Sequence, residues 1–216
     1  VKDGYYDGMI FHRAMKDFLI QTGDPNSKKA NHNRLLGSGG PDYTIKAEIR
    51  PHLFHKRGML SAARLPDTEN PDKKSNGSQF CIIQGQVYTS ADLDTLELDA
   101  YNRQLNLVWQ RIVAKNRNKI SAISLSGDSL LLQAFQDSLV NQAEKDMKNE
   151  QVFLFTPEQR KAYSTVGGAP FMDNEYTIFG EVIEGLDVVK KISLEAVDMN
   201  SRPLKDIRII RAKIVD

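Results

Sequence analysis

The sequence predicts a mainly β fold carrying a helical insertion, and three observations support that prediction. Short apolar runs bounded by Gly, Pro, Asn and Asp fill residues 1–86 and 168–216. Between them, residues 87–167 hold Gly only at Gly127 and Gly167 and Pro only at Pro157. Within that middle part, apolar residues recur at spacings of three and four rather than two.

In the first part, Phe18-Leu19-Ile20-Gln21 and Gln79-Phe80-Cys81-Ile82-Ile83 read as short strands between turn residues. The stretch from Leu35 to Asp42, with three glycines and Pro41, is a loop by composition. Asp24-Pro25-Asn26-Ser27 and Asn70-Pro71-Asp72 are turn signals, because Pro presets φ and Asn or Asp bonds its own backbone.

In the middle part, Leu98, Tyr101, Leu105, Val108 and Ile112 form one stripe of an amphipathic helix. Thr89 and Asp92 are spaced as a capping box at its start, and Gly127-Asp128 ends the pattern. Leu132, Phe135, Leu139, Ala143 and Met147 make a second stripe, and Thr156-Pro157-Glu158-Gln159 has the form of a further helix start. Helices joined this tightly are expected to pack as an antiparallel hairpin. Trp109 falls off the main stripe, which points it at the β part or at a partner. In the last part, residues 176–180 and 207–214 read as strands, and residues 185–192 as a short helix between them. The chain thus divides at 1–86, 87–167 and 168–216.

Composition narrows the function. Across 216 residues, 29 Lys and Arg against 28 Asp and Glu leave a net charge of +1, so no basic footprint for nucleic acid is present. The one cysteine, Cys81, excludes an intrachain disulfide and a multi-cysteine metal site. Apolar runs are far shorter than the ~20 residues a membrane span needs. No leader sequence is visible, no G-x-S-x-G occurs, and no histidine lies in a string that pairs it with a nucleophile. His52 and His55 form an H-x-x-H without a third ligand of obvious spacing, so no metal site is assigned. The lysines at 73–74 and 145–148 read as solvated faces. Taken singly, Arg13 reads as a solvated charge, His12 as a partly buried structural histidine, Phe18, Leu19 and Phe171 as core residues and Cys81 as a small buried hydrophobe.

Four strings in order change that reading. They are the run from Phe11 to Asp24, Gly58-Met59-Leu60-Ser61-Ala62-Ala63-Arg64, Asn76-Gly77-Ser78-Gln79-Phe80-Cys81-Ile82, and Tyr176-Thr177-Ile178-Phe179-Gly180-Glu181-Val182. With Tyr5-Tyr6-Asp7-Gly8, Gly39-Gly40-Pro41 and Tyr43, they resemble the cyclophilin-type peptidyl-prolyl cis-trans isomerases over residues 1–86 and 168–216. The resemblance implies a cyclophilin-like antiparallel β-barrel of eight strands capped by two helices. Against that pattern Val1-Lys2-Asp3-Gly4 looks like the end of the first capping helix, so the first two barrel strands are expected to be missing from this sequence.

The same resemblance implies a substrate: proline-containing peptides and unfolded or folding proteins, with no cofactor and no metal. Arg13 aligns with the family's catalytic arginine. Phe18, Leu19, Cys81, Phe171 and Met172 align with the lining of its proline slot. Gln21 and the backbone at Ala63 and Arg64 would hold the peptide, and Gln79 belongs to the same surface. Three positions depart from the family. Cys81 stands where an aromatic residue is usual. Phe171 replaces a tryptophan that also binds cyclosporin, and Tyr176 replaces a histidine but keeps a hydroxyl donor.

The leading expectation is an isomerase. The alternative is a proline-peptide-binding or chaperone module with little turnover. The insertion reads either as a self-packed hairpin, bracing the barrel or bridging to another copy, or as a client-gripping arm. Through it or through an open barrel edge the chain could form a homo-oligomer. The reading is bacterial-like, with cytoplasm and periplasm both left open.

Overall fold

The computed structural model describes residues 1–215 of the chain. Strands β1 (Arg13–Met15) and β2 (Leu19–Thr22) make a hairpin whose turn requires one left-handed residue. Asp17 supplies it at φ 58°, a conformation that Asp tolerates better than most residues. This turn takes in Phe18, so the strand begins one residue later than the sequence pattern predicts. β3 (Thr44–Ile45) pairs with β5 (Ser75–Asn76) as a separate two-stranded ribbon. β4 (Met59–Ala62), β6 (Phe80–Ile83) and β7 (Ile178–Glu181) join the hairpin in one antiparallel sheet, ordered β1-β2-β6-β4-β7.

The ladder ends at β1 and β7 and does not run from one to the other, so the described strands form an open sheet rather than a closed eight-stranded barrel. The segment 207–214 also differs from expectation. It runs beside residues 8–11, with Phe11 N donating to Ile207 O at 2.9 Å and Ile209 N to Met9 O at 2.8 Å. Only the single bridge Ile10↔Arg208 forms there, and further along the Ala212 N–H donates to the Asp7 carboxylate rather than to a strand.

Side chains on a strand alternate between faces, and both faces of β2 are covered. Leu19 packs with Met59, Cys81, Ile83, Ala169, Met172 and Ile178 on one side. Ile20 packs on the other, with Ala14 and with Val189 and Ile192 from α4 (Leu186–Ser193). Each such apolar side chain withdrawn from water contributes ~1.5–3 kcal/mol, which is why this short strand anchors the sheet.

The helical segment leaves this unit and returns at one tight junction. Gln86 N donates to Gly168 O at 3.2 Å, and Gly168 N to Gln86 O at 2.9 Å. Gly85 sits beside it at φ 56°, where a methyl group would stand 2.2 Å from the Gly168 carbonyl oxygen. Glycine is therefore required here both for its conformation and for the close approach. Helix α3 (Pro157–Thr165) belongs to the same unit as the sheet, which comprises Val1–Tyr88 and the chain from Pro157 onward.

The second unit, Thr89–Thr156, is the hairpin of α1 (Ser90–Ser126) and α2 (Ser129–Met147). The capping box of Thr89 and Asp92 is formed, Gly127 ends α1 in the left-handed conformation and Asp128 caps α2. Val108 and Ile112 meet Leu139, Ala143 and Met147 in the hairpin core. At 1.5 Å per residue, α2 is about half as long as α1 and cannot cover its first half. Leu98 and Tyr101 are accordingly exposed, although the spacing put them on the buried stripe. Trp109, by contrast, packs against the hairpin's own core. Among the described residues no helix is long and apolar enough to cross a membrane.

Candidate active site

One row of residues across the sheet builds the site. Arg13 on β1 pairs with Gln21 on β2, Gln21 with Cys81 on β6, and Cys81 with Ser61 on β4. Residues directly opposite each other in antiparallel strands share a face. A cation, an amide, a thiol and a hydroxyl are thereby lined up on the face that carries the Leu19 core. The neighbouring row, Thr22, Phe80 and Ala62, points the other way. Phe80, Leu60 and Phe179 there wall a separate apolar cavity of about 380 Å³.

Over the first row lies an open cavity of about 510 Å³. Arg13 and Gln21 form one side, with the Arg13 Nη1 donating to Gln21 Oε1 at 3.5 Å. Gln21 Nε2 in turn donates to Gln79 Oε1 at 3.0 Å. Both remaining donors of Gln79 go to the carbonyls of Gly37 and Gly39, at 2.9 and 2.5 Å. Gln79 is thus fully engaged and stands outside the cavity, holding Gln21 from behind. The other ten residues expected at the site all line the cavity.

Leu19 and Cys81 form the apolar floor. Burial pushes the Cys81 thiol up to about 12, against a small opposing effect of Arg13, so it stays protonated at ordinary pH and acts as a small apolar group. Phe18, Phe171 and Met172 form a wall. The Phe18 and Phe171 rings lie 5.0 Å apart and tilted, and Phe171 remains 57% exposed at the lip. Ala63, Arg64 and Tyr176 close the far side together with Pro66, Asp67 and Glu175, three residues that no motif in the sequence marks. The backbone of Ala63 is committed, its N–H to Gln79 O and its carbonyl to Asn76 N. The main-chain N–H and carbonyl of Arg64 have no hydrogen-bond partner among the described residues.

Behind the wall lies a polar cluster that the sequence did not reveal. His55 Nδ1 stands 2.9 Å from Asp173 Oδ1, and its Nε2 3.1 Å from Ser61 Oγ. Asp173 also accepts from the His55 N–H at 2.8 Å and from the Tyr163 hydroxyl at 2.6 Å. The spacing is that of a Ser-His-Asp triad, but Ser61 and His55 are fully buried and no substrate reaches the hydroxyl. Its work is structural: it ties Asp173, the residue after Met172, to β4 and α3. His55 is thereby accounted for without a metal.

The family model described as cyclophilin type peptidyl-prolyl cis-trans isomerase/CLD matches residues 1–103 and 114–214. The chain belongs to the cyclophilin-type peptidyl-prolyl cis-trans isomerases. It is similar to proteins of Staphylococcus saprophyticus and Staphylococcus aureus provisionally named peptidyl-prolyl cis-trans isomerases. The first is 26% identical over all of this chain and 76% of its own length, the second 26% identical over 96% and 73%. A crystal structure of a cyclophilin type peptidyl-prolyl cis-trans isomerase from Cryptosporidium parvum superimposes with a TM-score of 0.50 at 21% identity, covering 97% of this chain and 74% of that one, and so shares its fold. The family match extends through most of α1 and all of α2 and α3, segments that residue patterns alone set apart from the cyclophilin-like strings.

Proposed function

We propose that the 510 Å³ cavity binds an X–Pro segment of a peptide or unfolded protein, and that Arg13 lowers the barrier to rotation about its prolyl bond. That barrier is ~20 kcal/mol because amide resonance is lost when the bond twists. No bond is made or broken, so the chain accelerates the step by holding the twisted amide more tightly than either planar form. Twisting returns a lone pair to the prolyl nitrogen, and the Arg13 guanidinium, always charged and rigid, is suited to donate to it.

The floor of Leu19 and Cys81 and the wall of Phe18, Phe171 and Met172 suit the pyrrolidine ring. A thiol is smaller than an aromatic ring, so Cys81 leaves the floor roomier than the family's usual aromatic residue would. The main chain of Arg64 would hold the peptide backbone, while Gln21, braced by Gln79, sets the guanidinium over the slot. Tyr176 supplies a wall and a hydroxyl at the rim.

The observation that supports this reading best is the in-register placement of Arg13 beside Gln21 over an apolar floor. Its test is Arg13→Ala in a peptide isomerisation assay. Losing one preorganised donor is expected to lower kcat/KM about 10²–10³-fold while peptide binding changes little. Equal turnover in the variant and the wild type overturns the assignment.

A further inference from the structure

We infer that the Arg64 side chain is a positioning residue: its guanidinium bridges the loop leaving β4 to the loop preceding β7, and so holds both the Tyr176 wall and the main chain of Arg64 itself in place for the peptide. The inference rests on the reading of the cavity as an X–Pro site.

All three nitrogens of the guanidinium are engaged. Nε donates to the Glu175 carbonyl at 2.9 Å and Nη2 to the Glu175 carboxylate at 3.0 Å. Nη1 donates to the Leu65 carbonyl at 3.0 Å and to the Asp67 carboxylate at 2.5 Å. The guanidinium also lies over the Tyr176 ring, 4.5 Å from its centroid. Although it stands at the lip of an open cavity, the side chain is only 6% exposed. Lys73, held in the left-handed conformation at φ 53°, brings a second cation to the Glu175 and Asp67 carboxylates. Two positive and two negative charges thus neutralise one another between loops 111 residues apart in sequence.

Only a planar fork reaches this set of acceptors. Arginine offers five N–H groups in fixed directions and a face that stacks on an aromatic ring, whereas lysine offers one compact charge. Because Asp67 and Glu175 are both substantially exposed, the ion pairs add little to overall stability. Their effect falls on where Tyr176 and the Arg64 backbone stand. These groups touch the peptide throughout the reaction, in planar and twisted forms alike. Interactions of that kind change KM and leave kcat nearly alone.

The test compares Arg64→Ala, Arg64→Lys and Arg13→Ala in the full chain, using steady-state isomerisation of a proline peptide and amide hydrogen exchange. Arg64→Ala is expected to raise KM about tenfold with kcat changed less than about twofold. It is also expected to speed exchange together in residues 65–74 and 173–177. Arg64→Lys restores little of either, because it lacks the fork and the stacking face. If Arg64→Ala does not fold, Glu175→Gln is measured in its place. It removes one charge from the bridge, and a raised KM with faster exchange in both loops supports the inference. Unchanged KM and exchange in the folded variant, while Arg13→Ala has lost turnover, overturn the bridging role alone. Full turnover in Arg13→Ala overturns the reading of the cavity itself, and the exchange data then still decide whether Arg64 joins the two loops.

Discussion

Arg13 and Gln21 face each other across the β1–β2 hairpin, with the guanidinium 3.5 Å from the amide oxygen. A contact that long orients more than it binds. It leaves the arginine's other donors for a ligand, and it makes the cation's position depend on whatever holds Gln21.

What holds Gln21 is Gln79. Replacing Gln79 by Leu keeps the volume but removes the acceptor for Gln21 Nε2 and the two donors to Gly37 and Gly39. Leaving such groups buried without partners costs ~1–3 kcal/mol each. Gln79→Leu is expected to lower kcat/KM about tenfold or more with a reduced melting temperature, although the side chain never touches the peptide. Wild-type kinetics in a Gln79→Leu chain would show that Gln21 needs no support.

The buried cluster behind the slot makes a second prediction. Tyr163→Phe removes one donor to the Asp173 carboxylate. Hydrogen bonds to charged groups contribute ~1.5–3 kcal/mol, and urea unfolding is expected to show a loss in that range. Excising Thr89–Thr156 behind a flexible linker spares Tyr163 and is expected to leave a folded, active chain. Excising through Gly167 also removes Tyr163, and is expected to yield a markedly less stable protein. Equal stability of the two deletions overturns the role assigned to α3.

The third prediction concerns acid. His12 is buried, and neither ring nitrogen has a hydrogen-bond partner among the described residues. Burial lowers its pKa from 6.5 to about 4, outweighing the nearby Asp24 carboxylate. The unfolded chain therefore takes up a proton below pH 6.5 that the folded chain refuses until about 4. The stability that His12 contributes is complete above pH 6.5 and is lost as pH falls toward 4. At pH 4.5 that difference amounts to roughly 2.5 kcal/mol. Between pH 7 and 4.5 the wild type is expected to lose that much more unfolding free energy than His12→Phe. Parallel losses in the two chains count against a buried neutral imidazole.

Patterns along the chain were enough to place the local elements and the family. The apolar run Phe80-Cys81-Ile82-Ile83, the Thr89 and Asp92 capping box and the Gly127 break all act through neighbours in the chain, and the strand, the cap and the helix end form there, the strand one residue inside the stretch from Gln79 to Ile83. Ordered strings sufficed for the resemblance, and the family match bears it out. Tertiary structure alone decided what lies between distant segments. It set the register that aligns Arg13, Gln21, Cys81 and Ser61, the pairing of His55 with Asp173 across 118 residues, and the bridge from Arg64 to Glu175. It also exposed Leu98 and Tyr101, because a helical stripe states which face is apolar and not whether a partner is long enough to cover it. A polar residue's partner depends on three-dimensional proximity, and spacing along the chain carries no record of it beyond about one helical turn or one strand pair.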